Sequence, residues 1–419
     1  MGPGVADPGP PTRRARASPY GIPATKKLHK LARTVRILLD YRPALRQRSG
    51  VGEYVHELAR ALTETRRGGE SLVLFSSSWK DRVQVGRHEL ARNGHMPEFR
   101  DWRIPVRLLN YAWHRLGWPP VDWLQRGHLD VVHSAHPLLI PSRTAARVVT
   151  VHDLDFLDHP DRTQAEIRRD YPALAGPHAR AADRVIAVSA HTAGEVERRL
   201  HVERSRISIC SPGRPPWPRR ELEPLDGCIL FLGTLEPRKN LDVLLAGYER
   251  LLAQRPDAPR LVLAGGETAA SRPIVARATA PPLAGRVELA GYIDPSRRQE
   301  LYLRALVFVL PSHTEGFGIP ALEAMTCGVP VIVANRGALP EVVGGAGRVF
   351  DPSDPGQLAH ELGLVLADRA ARDRMREAGW RQSARFDWRE TARGVREAWA
   401  LALEARHTRQ RRSAGRSPE

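Results

Sequence analysis

Short apolar runs alternate with amphipathic stretches along most of the chain. Runs typical of strands buried on both faces lie at residues 35–41, 72–76, 131–134, 148–151, 185–188 and 207–210. After a Pro-rich break at 211–218, similar runs follow at residues 229–232, 261–264, 287–289, 306–310, 331–333 and 347–350. Helical periodicity fills the intervals, for example at 55–62, 192–200, 241–253 and 297–304, and a longer helical stretch lies near 355–378. This alternation predicts an α/β protein with doubly wound parallel sheets.

The length and the Pro-rich break predict two domains. A chain of 419 residues exceeds what one hydrophobic core usually serves. We predict a disordered basic tail at residues 1–34, an N-terminal domain at 35–213 and a linker at 214–226. A C-terminal domain at 227–386, a long helix at 387–407 and a second disordered basic tail at 408–419 follow. Because ligands of parallel α/β domains bind beside the carboxyl ends of the strands, we expect a cleft there.

Charge and cysteine content narrow the class of protein. The net charge is +17, and the excess of basic residues is partly concentrated in the two tails. Such tails suit an anionic membrane surface or nucleic acid; solubilising tails, or a start codon placed too far upstream, are the alternatives. The cysteines are Cys210, Cys228 and Cys327, with neither disulfide nor metal spacing. With no signal peptide and no long apolar run, we expect a cytoplasmic protein, and peripheral contact with the inner face of a membrane stays open.

The stretch 313–325 carries the strongest candidate chemistry. It follows a buried strand, and Gly316 and Gly318 suit a sharp turn before the next helix. Free amides at a helix N-terminus bind anionic oxygens, while the carboxylates of Glu315 and Glu323 suit hydroxyl groups. A ligand with both features is a sugar joined to a nucleoside diphosphate. The alternative is a solvated loop with a helix-capping glutamate.

A second stretch, 233–240, follows the first strand of the C-terminal domain. It begins at Gly233 and Thr234, and it places Arg238 and Lys239 near a helix N-terminus, where the helix dipole already favours anions. Asn240 is expected to cap that helix with its side chain. A diphosphate leaving group needs cations at this position. The alternative is a basic pair that caps a surface helix.

Three further places in the N-terminal domain and one stretch of aromatic residues are candidates. Gly50 and Gly52 begin a G-x-G turn before a helix, but Val55 breaks the dinucleotide-binding fingerprint. His152 ends a buried strand, where a core role is the alternative, and His133 and His136 follow another strand. The stretch 102–124 combines four tryptophans with arginines and leucines, which suits an interfacial position or an acceptor site; a helix packed on its own domain is the alternative.

The two stretches in the C-terminal domain resemble those of a known family. Residues 313–325 resemble the Glu-x7-Glu signature of retaining glycosyltransferases with the GT-B fold, especially family four. Residues 233–240, Gly-Thr-Leu-Glu-Pro-Arg-Lys-Asn, are similar to a mannosyltransferase-like branch of that family. The resemblance extends over roughly residues 35–405. It implies two Rossmann-like domains that face a cleft, with the last helix crossing back onto the N-terminal domain.

The resemblance also implies roles for the candidate residues. The N-terminal domain would bind the acceptor and the C-terminal domain the nucleotide sugar, with Glu323 on the ribose and Glu315 on the sugar hydroxyls. The implied catalytic residues are His152, Arg238, Lys239 and Glu315. The implied donor-binding residues are Gly50, Gly52, Gly233, Thr234, Gly265, Gly316, Phe317, Gly318, Ile319 and Glu323. The implied acceptor-side residues are Arg48, His133 and Asp153.

The reaction that the resemblance implies is transfer of a hexosyl group from a nucleoside-diphosphate sugar to an acceptor hydroxyl, with retention and without a metal cofactor. Mannose from GDP-mannose is the favoured donor, while UDP-glucose and other hexose donors stay open. The acceptor is a glycan, a glycolipid or a small metabolite. One alternative is a sugar-nucleotide epimerase or hydrolase of the same fold. Another, prompted by the +17 charge, is a nucleic-acid-binding protein, whose affinity would fall steeply with salt.

Overall fold

The structure is a computed structural model that describes residues 34–45, 50–78, 90, 95–125, 127–160 and 165–414. Two parallel β-sheets form its framework, one in each half of the chain. Helices cover both faces of each sheet, so the central strands are largely apolar on both faces; Leu38 and Leu39, adjacent on the first strand, are both fully buried. The predicted fold class is confirmed.

In the described part of the chain, the N-terminal sheet has seven strands in the order β3-β2-β1-β4-β5-β6-β7. Every neighbouring pair is parallel. The strands β1 to β7 are Val35–Asp40, Glu70–Ser77, Glu98–Trp102, Val131–Ser134, Ala146–Val151, Arg184–Ala187 and Ile207–Ile209. Among the described residues, the α-helices of this half include Val51–Glu64, Val106–Tyr111, Val121–Leu124, Ala165–Ala181 and Ala190–Leu200, and a π-helical turn spans Ala112–Leu116.

The C-terminal sheet has six strands in the order β10-β9-β8-β11-β12-β13. These pairs are also parallel. The strands β8 to β13 are Cys228–Leu232, Leu261–Ala264, Val287–Gly291, Ala305–Leu310, Val331–Ala334 and Arg348–Phe350. The α-helices are Leu241–Gln254, Arg272–Thr279, Pro295–Leu303, Ile319–Thr326, Leu339–Val343, Pro355–Ala367, Arg369–Ser383 and Trp388–Ala414.

The last helix, Trp388–Ala414, crosses back onto the N-terminal half, as expected. Arg396 lies almost fully buried between it and that half, donating hydrogen bonds to the carboxylate of Glu70 (2.9 Å) and to the carbonyl of Leu62 (2.9 Å). The helix continues to Ala414, so residues 408–414 are helical where we predicted a disordered tail. Arginine, glutamine and alanine, which are good helix formers, make up five of the seven residues 408–414 and favour the extension.

Two further elements differ from the prediction. The strand Glu98–Trp102 was missed because its sequence is polar and all its residues are only half-buried, and only pairing with β2 at the sheet edge makes it a strand. The helical stretch predicted at 355–378 is two helices, which break at Asp368; its carboxylate accepts from the amide of Ala371 and caps the second helix. Within the described residues, no helix is long and apolar enough to cross a membrane.

Candidate functional site

A buried carboxylate lies on the loop that follows β11. Glu315 is 7% exposed. Its Oε1 accepts hydrogen bonds from Lys239 Nζ (2.6 Å) and from the hydroxyl of Ser312 (2.7 Å), and Arg238 Nη1 lies 3.4 Å from its Oε2. Burial alone would raise the pKa of Glu315, but the charges of Lys239 and Arg238 outweigh it and lower the pKa to about 2. The carboxylate is therefore ionised at neutral pH.

Arg238 and Lys239 lie on the loop after β8, which is hydrogen-bonded directly to the loop that carries Glu315. Asn240 has a left-handed backbone (φ 54°) and does not cap the following helix with its side chain, which corrects our expectation. Its Nδ2 instead donates to the carbonyls of Pro311 (3.1 Å) and Pro352 (2.8 Å). The amide of His313 also donates to the carbonyl of Arg238 (2.9 Å). These bonds hold Arg238 and Lys239 against Glu315.

Arg238 faces both halves of the protein. Its side chain is 20% exposed and lies 3.0 Å from the carboxylate of Glu236 and 3.8 Å from that of Asp153 in the N-terminal half. Burial would lower the pKa of Arg238, but Glu315 and the other carboxylates raise it above its ordinary value. Arg238 is thus a permanent cation that stays partly accessible where the halves meet.

His152 approaches the same loop from the N-terminal half. Its Nε2 donates to the carbonyl of Ala135 (3.1 Å), so the proton of the neutral ring is on Nε2 and Nδ1 keeps its lone pair. Burial is the main cause that lowers the pKa of His152 to about 4. The ring is therefore uncharged at neutral pH and offers an acceptor rather than a cation.

Gly316 allows the two halves to touch at this point. A Cβ at Gly316 would overlap the carbonyl oxygen of His152, so no larger residue fits this arrangement. The hydroxyl of Thr192 lies 3.1 Å from the carbonyl of Gly316 and 3.3 Å from that of His152. Nearby, Glu341 accepts from the amides of Ala190 (2.9 Å) and His191 (3.1 Å), at the start of the helix Ala190–Leu200. Sequence reasoning did not identify Thr192, because a threonine after a capping serine carries no distinctive signal.

Glu323 lies on the helix Ile319–Thr326 with its carboxylate turned inward. It is 3% exposed and accepts hydrogen bonds from Arg298 Nη1 (3.0 Å) and from the hydroxyl of Tyr302 (2.8 Å). Burial raises its pKa despite Arg298. Arg298 also reaches Glu53 of the N-terminal half (3.2 Å). Ribose binding by Glu323 therefore stays a prediction, and it requires Arg298 or Tyr302 to release the carboxylate.

The predicted donor-binding backbone lies at the same edge of the C-terminal sheet. Gly233 and Gly265 follow the neighbouring strands β8 and β9, and a Cβ at Gly265 would overlap the carbonyl of Gly233. Thr234 is exposed. Gly318 begins the helix Ile319–Thr326 with a left-handed backbone (φ 101°), and Ile319 is half-buried.

Phe317 has a packing role that we did not predict. Its side chain is 5% exposed and meets the ring of Phe386 edge-to-face at 5.4 Å, so only its backbone is left for a ligand. In the N-terminal half, Gly50 (φ 53°) precedes the helix Val51–Glu64 and Gly52 is buried in its first turn.

Of the three acceptor-side predictions, one is corrected. His133 is fully buried; its Nδ1 accepts from the indole of Trp399 (3.3 Å) and its Nε2 donates to the hydroxyl of Thr150 (2.8 Å). It packs under the last helix and does not face the cleft, because the long-range packing of that helix covers the strand end. Asp153 is partly exposed beside Arg238. Arg48 lies outside the described residues.

A buried ionic cluster at the end of β1 was not predicted. The guanidinium of Arg42 donates two hydrogen bonds of 2.8 Å to the carboxylate of Asp40, and His136 Nε2 lies 3.2 Å from the same carboxylate. Burial opposes ionisation, yet Arg42 lowers the pKa of Asp40 well below its usual range. Arg42 also donates to the side-chain carbonyl of Asn110 (2.8 Å). An Asp at a strand end with Arg two residues later was the only available signal.

These contacts describe what the site offers chemically. Two cations, one neutral imidazole acceptor and glycine-rich backbone converge where the carboxyl ends of the two sheets meet. In the part of the chain that the structure describes, no cluster of three or more His, Cys, Asp or Glu side chains is arranged to hold a metal ion. The arrangement suits an anionic ligand that also carries hydroxyl groups.

Comparisons with known proteins agree with this chemistry. The family pattern described as "Glycosyl transferases group 1" matches residues 218–382, and the one described as "Glycosyltransferase Family 4" matches residues 48–216. The O-antigen chain mannosyltransferase B of Escherichia coli is 28% identical over 383 residues, which are 88% of this chain and 100% of that protein. The D-inositol 3-phosphate glycosyltransferase of Thermobifida fusca is 33% identical over 310 residues, which are 68% of this chain and 67% of that protein.

Solved structures share the fold. The sucrose-phosphate synthase of Thermosynechococcus elongatus superimposes with a TM-score of 0.67 at 20% identity, over 91% of this chain and 100% of that one. The Anabaena protein HepE, in complex with UDP and glucose, gives a TM-score of 0.64 at 18% identity, over 88% of this chain and 99% of that one. At these identities the likeness concerns the fold alone.

Proposed function

The chain belongs to the group 1 glycosyltransferases of family 4, and from this premise we propose that it moves a hexosyl group, with mannose from GDP-mannose as the favoured donor, to an acceptor hydroxyl with retention at the anomeric carbon. It is a hexosyltransferase that uses a nucleoside-diphosphate sugar. The similarity to an O-antigen chain mannosyltransferase supports the choice of mannose. The acceptor class is a glycan, a glycolipid or a small metabolite.

One observation carries the proposal: Arg238 and Lys239 converge with Glu315 at the edge where the two halves meet. Lys239 Nζ lies 2.6 Å from Glu315 and Arg238 lies 3.4 Å from it. Negative charge develops on the diphosphate as the bond between the anomeric carbon and the phosphate oxygen breaks, and preorganised cations stabilise that charge. The contact of 2.6 Å with Glu315 holds Lys239 in position.

The proton and the sugar are handled without a separate protein base. As the acceptor oxygen bonds to the anomeric carbon and the bond from that carbon to the diphosphate breaks, the leaving phosphate oxygen takes the proton of the acceptor hydroxyl. Neutral His152 accepts a hydrogen bond from a sugar hydroxyl through Nδ1. Hydrolysis by two opposed carboxylates about 5 Å apart does not suit this site, because Glu323 is buried against Arg298 and Tyr302.

The first experiment is a thermal-shift panel of the full chain with GDP, UDP, ADP and TDP and their common sugars. A ligand at a hundred times its dissociation constant stabilises by about 2.7 kcal/mol. We expect one nucleotide to raise the Tm alone, and Arg238→Gln to abolish the shift. The matched control is Arg374→Gln, which removes an exposed arginine from the helix Arg369–Ser383. If the favoured donor is correct, GDP raises the Tm and UDP does not.

Product analysis then tests the reaction itself. With donor and acceptor, an NMR spectrum of the product should show the anomeric configuration of the donor. With donor alone, free sugar or an epimer formed at turnover rates would instead establish a hydrolase or an epimerase. We further propose that Arg238 and Lys239 replace a divalent metal, so transfer should persist within about twofold in EDTA; strict dependence on magnesium would contradict this.

A further inference from the structure

The segment after β3 carries an exposed apolar surface. We call it the aromatic patch, and it comprises the large apolar side chains of residues 106–123 that face solvent. Each is more than half exposed: Leu108 (61%), Tyr111 (53%), Leu116 (62%), Trp118 (57%) and Trp123 (58%). The rings of Trp118 and Trp123 are 6.4 Å apart, so they form one surface. Exposed large apolar side chains that cluster in this way mark an interaction surface.

The aromatic patch stands on a well-packed base. Trp113 is 1% exposed and Leu109 is 2% exposed, and both belong to a core cluster with Phe75. The indole of Trp113 donates to the carbonyl of Pro119 (3.0 Å), and the amide of Val121 donates to that of Pro141 (2.8 Å). The exposed face is thus the outer side of an amphipathic segment whose inner side is fixed in the domain.

Cations surround the aromatic patch. Arg103, Arg107, Arg115 and Arg143 are all exposed, and the guanidinium of Arg143 lies 5.3 Å over the ring of Trp123. The one acidic residue of the segment 103–123 is Asp122, whose carboxylate accepts hydrogen bonds from the hydroxyls of Ser142 and Thr144 and from the amide of Arg143. Arg115 is in part balanced by Asp170 (2.9 Å). Tryptophan with arginine suits the headgroup level of a bilayer, where the rings enter the interface and the cations meet lipid phosphates.

We propose that the aromatic patch docks the protein on an anionic lipid bilayer. A second copy of this chain is a poorer occupant, because a twofold self-contact places the same surface on both partners and would set the arginines of one patch against those of the other. An anionic bilayer instead offers complementary charge together with an apolar interior. The docking does not depend on the catalytic activity.

The position of the aromatic patch relates it to the cleft. Asn110 lies in the same segment and accepts from Arg42, which binds Asp40 at the carboxyl end of β1. That sheet edge also carries His152. If the proposed transfer function is correct, docking brings the N-terminal side of the cleft close to the membrane, where an acceptor carried by a lipid would enter.

Vesicle co-sedimentation of the full chain tests the docking without any assay of transfer. The vesicles are phosphatidylcholine with about one third phosphatidylglycerol, and pure phosphatidylcholine is compared. We expect binding to the anionic vesicles, and a loss of about tenfold or more for the variant Trp118→Ser/Trp123→Ser. The control Leu222→Ser/Leu225→Ser removes two apolar side chains of the linker that are even more exposed (79% and 99%) and should bind like the unmodified chain.

A second variant tests the electrostatic part and does not disturb the apolar packing. Arg103→Gln/Arg107→Gln should weaken binding by about fivefold per arginine. The control Arg369→Gln/Arg374→Gln removes the same charge from an exposed helix of the C-terminal half and should bind like the unmodified chain. Thermal melts verify that every variant folds. The proposal is overturned if both patch variants bind vesicles normally. It is also overturned if the full chain does not bind vesicles and the patch variants have a lower molar mass than the unmodified chain in size-exclusion chromatography with light scattering. That result would make the aromatic patch a contact between copies.

Discussion

The pair Lys239–Glu315 permits a quantitative test of the site. Both side chains are 9% exposed and the nitrogen and oxygen are 2.6 Å apart. We consider Lys239→Met, Glu315→Gln and the double variant. Lys239→Met leaves an ionised carboxylate with only Ser312 and the longer contact to Arg238 (3.4 Å). Glu315→Gln leaves a buried ammonium group without its carboxylate. The double variant leaves neither charge unpaired.

The size of the effect follows from the pKa of Glu315. Folding lowers it from 4.5 to about 2, which at about 1.4 kcal/mol per pKa unit corresponds to about 3 kcal/mol. Breaking a buried pair by removing one partner costs a similar about 3–5 kcal/mol. Each single variant should therefore lower the free energy of unfolding by about 3 kcal/mol at neutral pH, and the double variant by clearly less than the sum.

The pH dependence has a definite sign. Because the pKa of Glu315 is lowered in the folded state, the ionised pair stabilises the protein above the unfolded value of 4.5 and loses this contribution as the pH falls towards about 2. The difference in unfolding free energy between the unmodified chain and Glu315→Gln should narrow over that interval. Urea unfolding at about pH 7 and about pH 3 measures it.

Stability and activity should separate in this series. The double variant recovers stability relative to the sum of the single variants, but it lacks a cation for the departing diphosphate, so its kcat should stay about 10²–10³-fold lower than that of the unmodified chain. If the two single effects simply add to within about 0.5 kcal/mol, the two residues do not interact as described. If Lys239→Met keeps its transfer rate within a few-fold, the leaving-group role is wrong.

Three further predictions concern the contacts between the two halves. Gly316→Ala should lower the transfer rate about 100-fold in initial-rate assays, because the Cβ of the alanine would overlap the carbonyl of His152. Gly345→Ala should leave the transfer rate unchanged, because a Cβ at Gly345 meets nothing within 4 Å. Because the pKa of His152 is about 4, the transfer rate should show no inflection near pH 6.5 from this residue and should fall only as the pH drops through about 4. His152→Phe should abolish this decrease at low pH together with most of the transfer rate. Arg396→Met should lower the free energy of unfolding by about 3 kcal/mol, because the guanidinium of Arg396 is buried against the N-terminal half. Arg393 is exposed on the same helix, so Arg393→Met should change the free energy of unfolding by less than about 0.5 kcal/mol in denaturant melts.

Most of the framework could be predicted from local pattern. Strands 131–134 and 261–264 have the predicted bounds, because short runs of this kind between helical stretches are typical of strands that a parallel sheet buries on both faces. The same pattern placed Arg238, Lys239 and Glu315 after neighbouring strands. Since carboxyl ends of parallel strands share one edge, their meeting was foreseeable without coordinates.

Other features depended on partners distant in the sequence. Glu98–Trp102 is a strand only because β2 offers an edge, and His133 is buried only because the last helix crosses over it and presents Trp399. The carboxylate of Glu323 is buried because Arg298 and Tyr302, on another helix, donate hydrogen bonds to both its oxygens.

The sequence by itself thus determined the periodicity of the elements and the chemistry at the strand ends, since both are local properties of the chain. Only the tertiary structure decided which polar side chains stay open to a ligand and which are buried in pairs. Burial and pairing depend on which surfaces come together, and no single segment such as 313–325 or 131–136 contains that information.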